Sequence, residues 1–326
     1  MLIESSLLLQ EVLAVNYELK LQNDDYKGMD PQKAREDFFN RVQAYENVYE
    51  TIEDDENGRQ ISYIKLINVG QKVISRNCTG YLPSQVGFYL QNVHIQPRKI
   101  YLSLVSETLG VLKNRYRNMS EESAGDLTEF GRRYSLDIAR FMGIQMQRES
   151  EDALNNSSTS VSAPAEAEGL GRQLLVLAGT EEVHAETILH MRMLYPCYTT
   201  PLLNELRGGD FHGLSPDIIE SQFPDEFSRR KVDKLHYRYP GVGGESYLDV
   251  IERLRPIVIE LERQRCSVFV VSNVAVLRCI YAYFAGIKLP DIPYIHVDKH
   301  KLLELTPGPF GCQVRVIDPS SELPHM

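Results

Sequence analysis

Two short segments place polar side chains where an apolar strand runs out, a position from which a layered α/β enzyme would present its reactive atoms. Residues 100–108 read I-Y-L-S-L-V-S-E-T, and residues 267–279 read S-V-F-V-V-S-N-V-A-V-L-R-C. The first run ends in Ser106, Glu107 and Thr108, the second in Ser272 and Asn273. A serine attacks only with a base beside it, and no base is evident next to Ser106. Asparagine donates and accepts hydrogen bonds but cannot carry a proton as a cation. His184, His190 and His212 show no convergent ligand pattern. Cys78, Cys197, Cys266, Cys279 and Cys312 contain no C-x-x-C pair, so neither a zinc cluster nor a disulfide framework is indicated. Cys266 and Cys279 flank an apolar strand and read as small apolar residues.

Strand-like runs at residues 99–105, 174–178, 268–272 and 314–317 alternate with amphipathic helices, the pattern of an α/β layered domain. Residues 247–262 carry Leu248, Ile251, Leu254, Val258 and Leu261 at helical spacing, which predicts one apolar stripe against a sheet. Nearer the start, Pro31 suits a first helical turn, with Ala34, Phe38, Val42 and Tyr45 following at helical spacing. Residues 61–68 alternate as a strand does. Residues 149–169 are rich in Ser, Asn, Ala and acid and predict a disordered surface insert.

The chain has 326 residues, 43% hydrophobic and 25% charged, ordinary values for a globular protein with a sizeable core. A net charge of -10 argues against nucleic acid or an anionic membrane as the main partner. Scattered cysteines and the lack of a signal peptide or bilayer-length apolar run fit a cytoplasmic setting.

The two strand-and-turn segments resemble the active-site strands of the histidine phosphatase (phosphoglycerate mutase-like) superfamily. The closest resemblance is to the bisphosphatase half of 6-phosphofructo-2-kinase/fructose-2,6-bisphosphatase. That family reads Y-L-C-R-H-G-E-S where this chain has residues 101–108, and V-I-C-H-Q-A-V-M-R-C where it has 270–279. Segments before residue 97 resemble the end of the kinase half, and further matches run in order to about residue 318. The resemblance implies a mainly parallel sheet flanked by helices over residues 98–318, a partial second α/β domain over 1–97 and a tail over 319–326.

It also implies which groups are gone. The nucleophilic histidine falls on Val105, the arginine beside it on Leu104, and the second histidine on Asn273. Further family positions fall on Val111, Arg117, Pro216 and Val274, and an arginine expected near Val183 is absent. Retained positions are Glu205, matching the general acid, and Arg230, Lys234, Tyr247 and Arg278, matching substrate-phosphate contacts. Phe227, Ser228, Arg229 and Arg230 resemble a segment linked to nucleotide contact. Lys20 resembles a position near the kinase nucleotide, and Arg41 and Tyr45 resemble contacts to fructose 6-phosphate. The bland alternatives stay open: surface residues of a helical remnant for the last three, and cations paired with Glu205, Glu245 or Glu107 for the others. No G-x-x-x-x-G-K-[ST] loop occurs, so no cofactor is expected in this chain. ATP and magnesium belong to the family's kinase half, and kinase output would require a preceding phosphate-binding loop. The implied role is a catalytically degenerate bisphosphatase module in fructose 2,6-bisphosphate metabolism, or a non-catalytic sensor or scaffold for sugar phosphate or nucleotide. A homodimer is compatible with either.

Overall fold

The structure, a computed structural model, describes residues 2–6, 20–21, 26, 28–53, 55–56, 59–67, 72–92, 98–109, 126–157, 174–308 and 311–323. Val111, Arg117 and residues 158–169 of the expected insert lie outside them. The chain divides into two units, Met1–Ile95 and Gln96–Met326.

The first unit contains β1 (Leu2–Ser6), the two-residue pair β2 (Asp55–Glu56) and β3 (Arg59–Gln60), β4 (Tyr63–Ile67) and β5 (Lys72–Arg76). Strand β4 pairs in parallel with β1 and antiparallel with β5. Helix α1 (Pro31–Val48) starts where the Asp30 carboxylate accepts the Gln32 and Lys33 amides at 3.1 and 3.2 Å, and Pro31 supplies a preset φ. Ala34 is buried and Phe38 and Val42 half-buried, whereas Tyr45 is 68% exposed, so the expected stripe stops before its last member. Helix α2 (Tyr81–Asn92) completes the unit.

The second unit is a six-stranded sheet. Its strands are β6 (Ile100–Leu104), β7 (Leu175–Ala178), β8 (Cys197–Thr199), β9 (Val268–Ser272), β10 (Leu302–Gly308) and β11 (Gly311–Ile317), in the order β11–β10–β6–β9–β7–β8. The run β6–β9–β7–β8 is parallel, and the β10–β11 hairpin adds antiparallel strands at one edge. Alternation along the strands feeds two cores. Ile100, Leu102, Val268 and Val270 pack with α7 (Tyr247–Arg263) and α8 (Val274–Ala285). Tyr101, Phe269 and Val271 pack with Tyr134, Ile138 and Met142 of α3 (Glu129–Ser157). Helices α4 (Glu182–Thr187), α5 (Pro216–Gln222) and α6 (Pro224–Val232) lie in the connections.

Three expectations shift. Residues 149–157 are the last turns of α3 rather than part of a loop. Strand β11 begins at Gly311 because it pairs with β10 along its whole length. The buried seam of α7 runs through Tyr247, Val250, Leu254, Ile257 and Leu261, with Leu248 and Ile251 at its border. A reciprocal cap sets this phase: the Asp249 amide donates to Ser246 Oγ at 3.3 Å, and the Ser246 amide donates to Asp249 Oδ2 at 2.8 Å. Helix α8 ends at Gly286, whose φ of 66° is the left-handed conformation a C-terminal cap needs. Among the described residues no helix is long and apolar enough to cross a membrane.

The seam predicts unequal costs for truncation. Leu254→Ala, at a residue 2% exposed, is expected to cost about 2–5 kcal/mol in urea unfolding. Val258→Ala, on the half-buried flank, should cost less than about half of that. Equal losses would contradict the placement of the seam.

Candidate functional site

Parallel pairing of Leu104 with Ser272 brings the ends of β6 and β9 abreast, and the Val105 amide donates to the Ser272 carbonyl at 3.2 Å. Leu104 is 9% exposed in one core and Val105 packs against the other, so hydrocarbon occupies the end of β6. The Ser106 amide donates to Thr187 Oγ1 at 2.9 Å, and that hydroxyl donates to the Val183 carbonyl at 2.7 Å, which ties the turn to α4. Ser106 is 2% exposed and its own hydroxyl has no partner.

Asn273 caps the start of α8 and is 7% exposed. Its Nδ2 donates to Glu205 Oε2 at 2.6 Å, while its Oδ1 has no partner. Arg253 fastens the loop that carries Glu205. Its guanidinium donates to the carbonyls of Leu202, Asn204 (2.8 Å) and Glu205 (3.1 Å). Its Nε lies 3.0 Å from Glu245 Oε1, an ion pair by distance without hydrogen-bond alignment. Burial pushes the Glu205 carboxyl up to about 7, with Glu181 adding to the rise, while the Asn273 hydrogen bond and Arg253 oppose it. The residue nonetheless keeps an exposed face, where solvent tempers the cost of ionisation.

His184, which shows no ligand pattern in the sequence, is fully buried. Burial pushes its ring down to about 4, so it is neutral, and both ring nitrogens lack hydrogen-bond partners. It packs beneath the Glu205 loop. A Cβ on Gly179 would stand 2.6 Å from His184 Nε2 and 2.7 Å from Asn204 Oδ1, so only glycine permits that approach. Its burial carries no sequence signal beyond the glycine at the end of β7. His190 and His212 are exposed.

The cations gather near one another, close enough for Arg230 and Arg278 to act on Lys234. Arg278 donates to the Tyr247 hydroxyl at 2.9 Å and to the Ile295 carbonyl at 2.7 Å. Arg230 lies over the Tyr239 ring at 5.5 Å and Lys234 over the Tyr294 ring at 5.0 Å. Desolvation holds the Lys234 amine below its ordinary value, and the charges of Arg230 and Arg278 push it the same way. Among the described residues none of the three forms an ion pair. Glu205 is bonded to Asn273, Glu245 to Arg253 and the Arg207 amide, and Glu107 to Thr128. Among the described residues these carboxylates thus make their direct bonds to other groups.

Other expected site residues are scattered. Of the segment on α6, only Arg230 reaches the cluster: Phe227 is half-buried, Ser228 exposed, and Arg229 pairs with Glu226 at 2.6 Å on the outer face. Pro216 opens α5 behind a Ser215 cap. Val274 is the half-buried first residue of α8. In the first unit Arg41 donates to the Tyr26 hydroxyl at 3.1 Å, beside Asp37, and Lys20 and Tyr45 are exposed. No group of His, Cys, Asp or Glu able to hold a metal occurs among the described residues.

Comparison with known proteins adds a family to this geometry. Residues 1–97 match the 6-phosphofructo-2-kinase family, and residues 183–318 match the histidine phosphatase superfamily, branch 1. The chain is 36% identical over 91% of its length to 6-phosphofructo-2-kinase 1 of Saccharomyces cerevisiae, of which it covers 35%. It is 33% identical over 97% of its length to 6-phosphofructo-2-kinase/fructose-2,6-bisphosphatase 4 of Homo sapiens, covering 60% of that protein. For the Caenorhabditis elegans 6-phosphofructo-2-kinase/fructose-2,6-bisphosphatase the values are 35%, 90% and 58%. The chain thus spans between about a third and three fifths of the length of these relatives. The alpha-ribazole phosphatase of Shigella flexneri superimposes on 68% of this chain and 96% of its own, with a TM-score of 0.50 at 17% identity, a likeness of fold alone.

The raised Glu205 carboxyl carries a sign that can be tested. Between about 4.5 and about 7 the folded state holds a proton that the unfolded chain releases. This contribution to stability is whole below the lower value and is lost as pH rises through the upper one. The thermal midpoint should therefore fall between about pH 5 and about pH 8, and Glu205→Gln should flatten that fall. An unchanged slope in the variant would contradict the assignment.

Proposed function

The chain belongs to the 6-phosphofructo-2-kinase/fructose-2,6-bisphosphatase family, and from that premise we propose that its second unit is a catalytically silent bisphosphatase module that keeps an anion-binding pocket. Its role would lie in fructose 2,6-bisphosphate metabolism, through binding rather than hydrolysis. One observation carries the proposal: Leu104 and Val105 put hydrocarbon at the reacting end, while Arg230, Lys234 and Arg278 stand together without a carboxylate ion pair among the described residues.

Transfer of a phosphoryl group through histidine needs a neutral imidazole in line with phosphorus, cations on the equatorial oxygens and an acid for the leaving oxygen. Glu205 could still serve as the acid, since it holds a proton up to about 7. Val105, at the family's nucleophile position, cannot attack. Asn273 donates an amide hydrogen to Glu205, and the Ser106 amide is bound to Thr187. Loss of a covalent nucleophile alone costs on the order of 10⁴–10⁶ in rate.

A binding role fits the same residues. Convergent cations are costly to desolvate unless an anion answers them, and a phosphorylated ligand meets that need. The chain has no phosphate-binding loop sequence of the kind that holds ATP and magnesium. The proposed role of this chain therefore involves neither, and any kinase output would rest on a phosphate-binding loop supplied elsewhere.

Incubation with fructose 2,6-bisphosphate labelled at its 2-phosphate should give no labelled band on an alkaline gel. A stable labelled protein would overturn the silent-module reading. Leu104→Arg, Val105→His and Asn273→His together should recover at most weak hydrolysis, because Val183 still occupies the position of a lost arginine.

A further inference from the structure

The site has one cationic end and one end without a free cation among the described residues. At the first, Arg278 bonds the Tyr247 hydroxyl, and Arg230 and Lys234 lie close enough for their charges to act on one another. At the second, Asn273 and Glu205 are joined by a 2.6 Å hydrogen bond, with Asn273 Oδ1 left over in a residue only 7% exposed. Ser106 Oγ, also buried and unpartnered, leaves the sheet at the adjoining strand end. Tyr239 lies between the ends: Arg230 stands over its ring at 5.5 Å, and the Glu205 charge acts on its hydroxyl. Along α8 the rise from Asn273 to Arg278 is roughly 7 Å at the helical repeat.

Each end suits a different ligand group. A phosphate at the second end would meet Leu104, Val105 and a carboxylic acid, and the nearby guanidinium of Arg253 is spent on three carbonyls and Glu245. Desolvating a phosphate there without a cation is strongly unfavourable. A hydroxyl needs only an acceptor and a donor, and the Asn273 carbonyl oxygen with the Glu205 carboxyl supplies both. The substitutions that remove the reactive histidines also remove the charge that would tolerate a second phosphate.

We propose that this pocket selects hydroxylated phosphate monoesters over bisphosphates, with one phosphate at Arg230, Lys234 and Arg278 and neutral sugar hydroxyls at Asn273 and Glu205. The inference rests on the anion-site reading above, and it inverts the preference that a bisphosphatase pocket would have.

Calorimetric titration of the full chain with inorganic phosphate, fructose 6-phosphate, fructose 2,6-bisphosphate and unphosphorylated fructose tests it. Fructose 6-phosphate should bind about tenfold tighter than inorganic phosphate and tighter than the bisphosphate, and fructose should give no heat. Asn273→Ala should weaken fructose 6-phosphate severalfold and leave inorganic phosphate unchanged. Arg230→Ala with Arg278→Ala should abolish both, which places them in this pocket. If the bisphosphate binds as tightly as the monoester or tighter, the selectivity is overturned while the anion site stands. If none of the phosphates gives heat, the anion site itself falls.

Discussion

The parallel register of β6 and β9, which sets Leu104 opposite Ser272, governs everything at the site. Parallel neighbours run out at the same edge of a sheet, so the residues that follow them must share one pocket whatever their chemistry. Here those residues are Val105 and Ser106 on one side and Asn273 on the other. The register is held by side chains alternating between two cores, with Val268 and Val270 facing one and Phe269 and Val271 the other. A one-residue slip would turn every one of them to the wrong face. The scaffold is thus fully specified by packing, and packing places no demand on the reactivity of the residues at its edge.

That independence means the frame itself sets no requirement for a particular reactive side chain at the end of β6. Valine and leucine at the end of β6 are compatible with the core, whereas an arginine and a histidine there would need partners to offset their burial. The cations on α6, α8 and the intervening loop obey a different constraint. Arg278 is anchored by Tyr247 and the Ile295 carbonyl, and aromatic rings lie beneath Arg230 and Lys234. These contacts orient the charges without neutralising them. Among the described residues, Glu205, Glu245 and Glu107 make their direct bonds to Asn273, Arg253 and Thr128 rather than to these cations.

The central strands at 100–104, 175–178 and 268–272 are legible in the amino-acid sequence because continuous apolar runs have few alternatives in a layered α/β chain, whereas β8 and β10 at the sheet's periphery carry no such signal. The α7 seam is displaced from its expected line because Leu248, Ile251 and Val258 are as apolar as the residues that face the core, and the Ser246–Asp249 cap settles the phase. Helix α3 reaches Ser157 through asparagines and serines of low helical propensity, continuing a packed helix that composition alone would end earlier. At the site, missing histidines and retained cations are legible by resemblance. Which carboxylates neutralise which cations is not, since ion pairing depends on the folded positions of Arg253 and Glu245. The burial of His184 behind Gly179 is likewise invisible, because nothing local distinguishes a buried histidine from a solvated one.

The central claim, that three cations stand together without a carboxylate ion-pair partner among the described residues, is tested most directly by NMR titration of the Lys234 side chain. Lys234 should titrate below the ordinary lysine value of 10.5, because desolvation and the charges of Arg230 and Arg278 disfavour its protonated form. Its pKa should rise when Arg230 is replaced by alanine, and rise again when inorganic phosphate is added to the wild-type protein. A Lys234 that titrates at its ordinary value and responds to neither change would contradict the account.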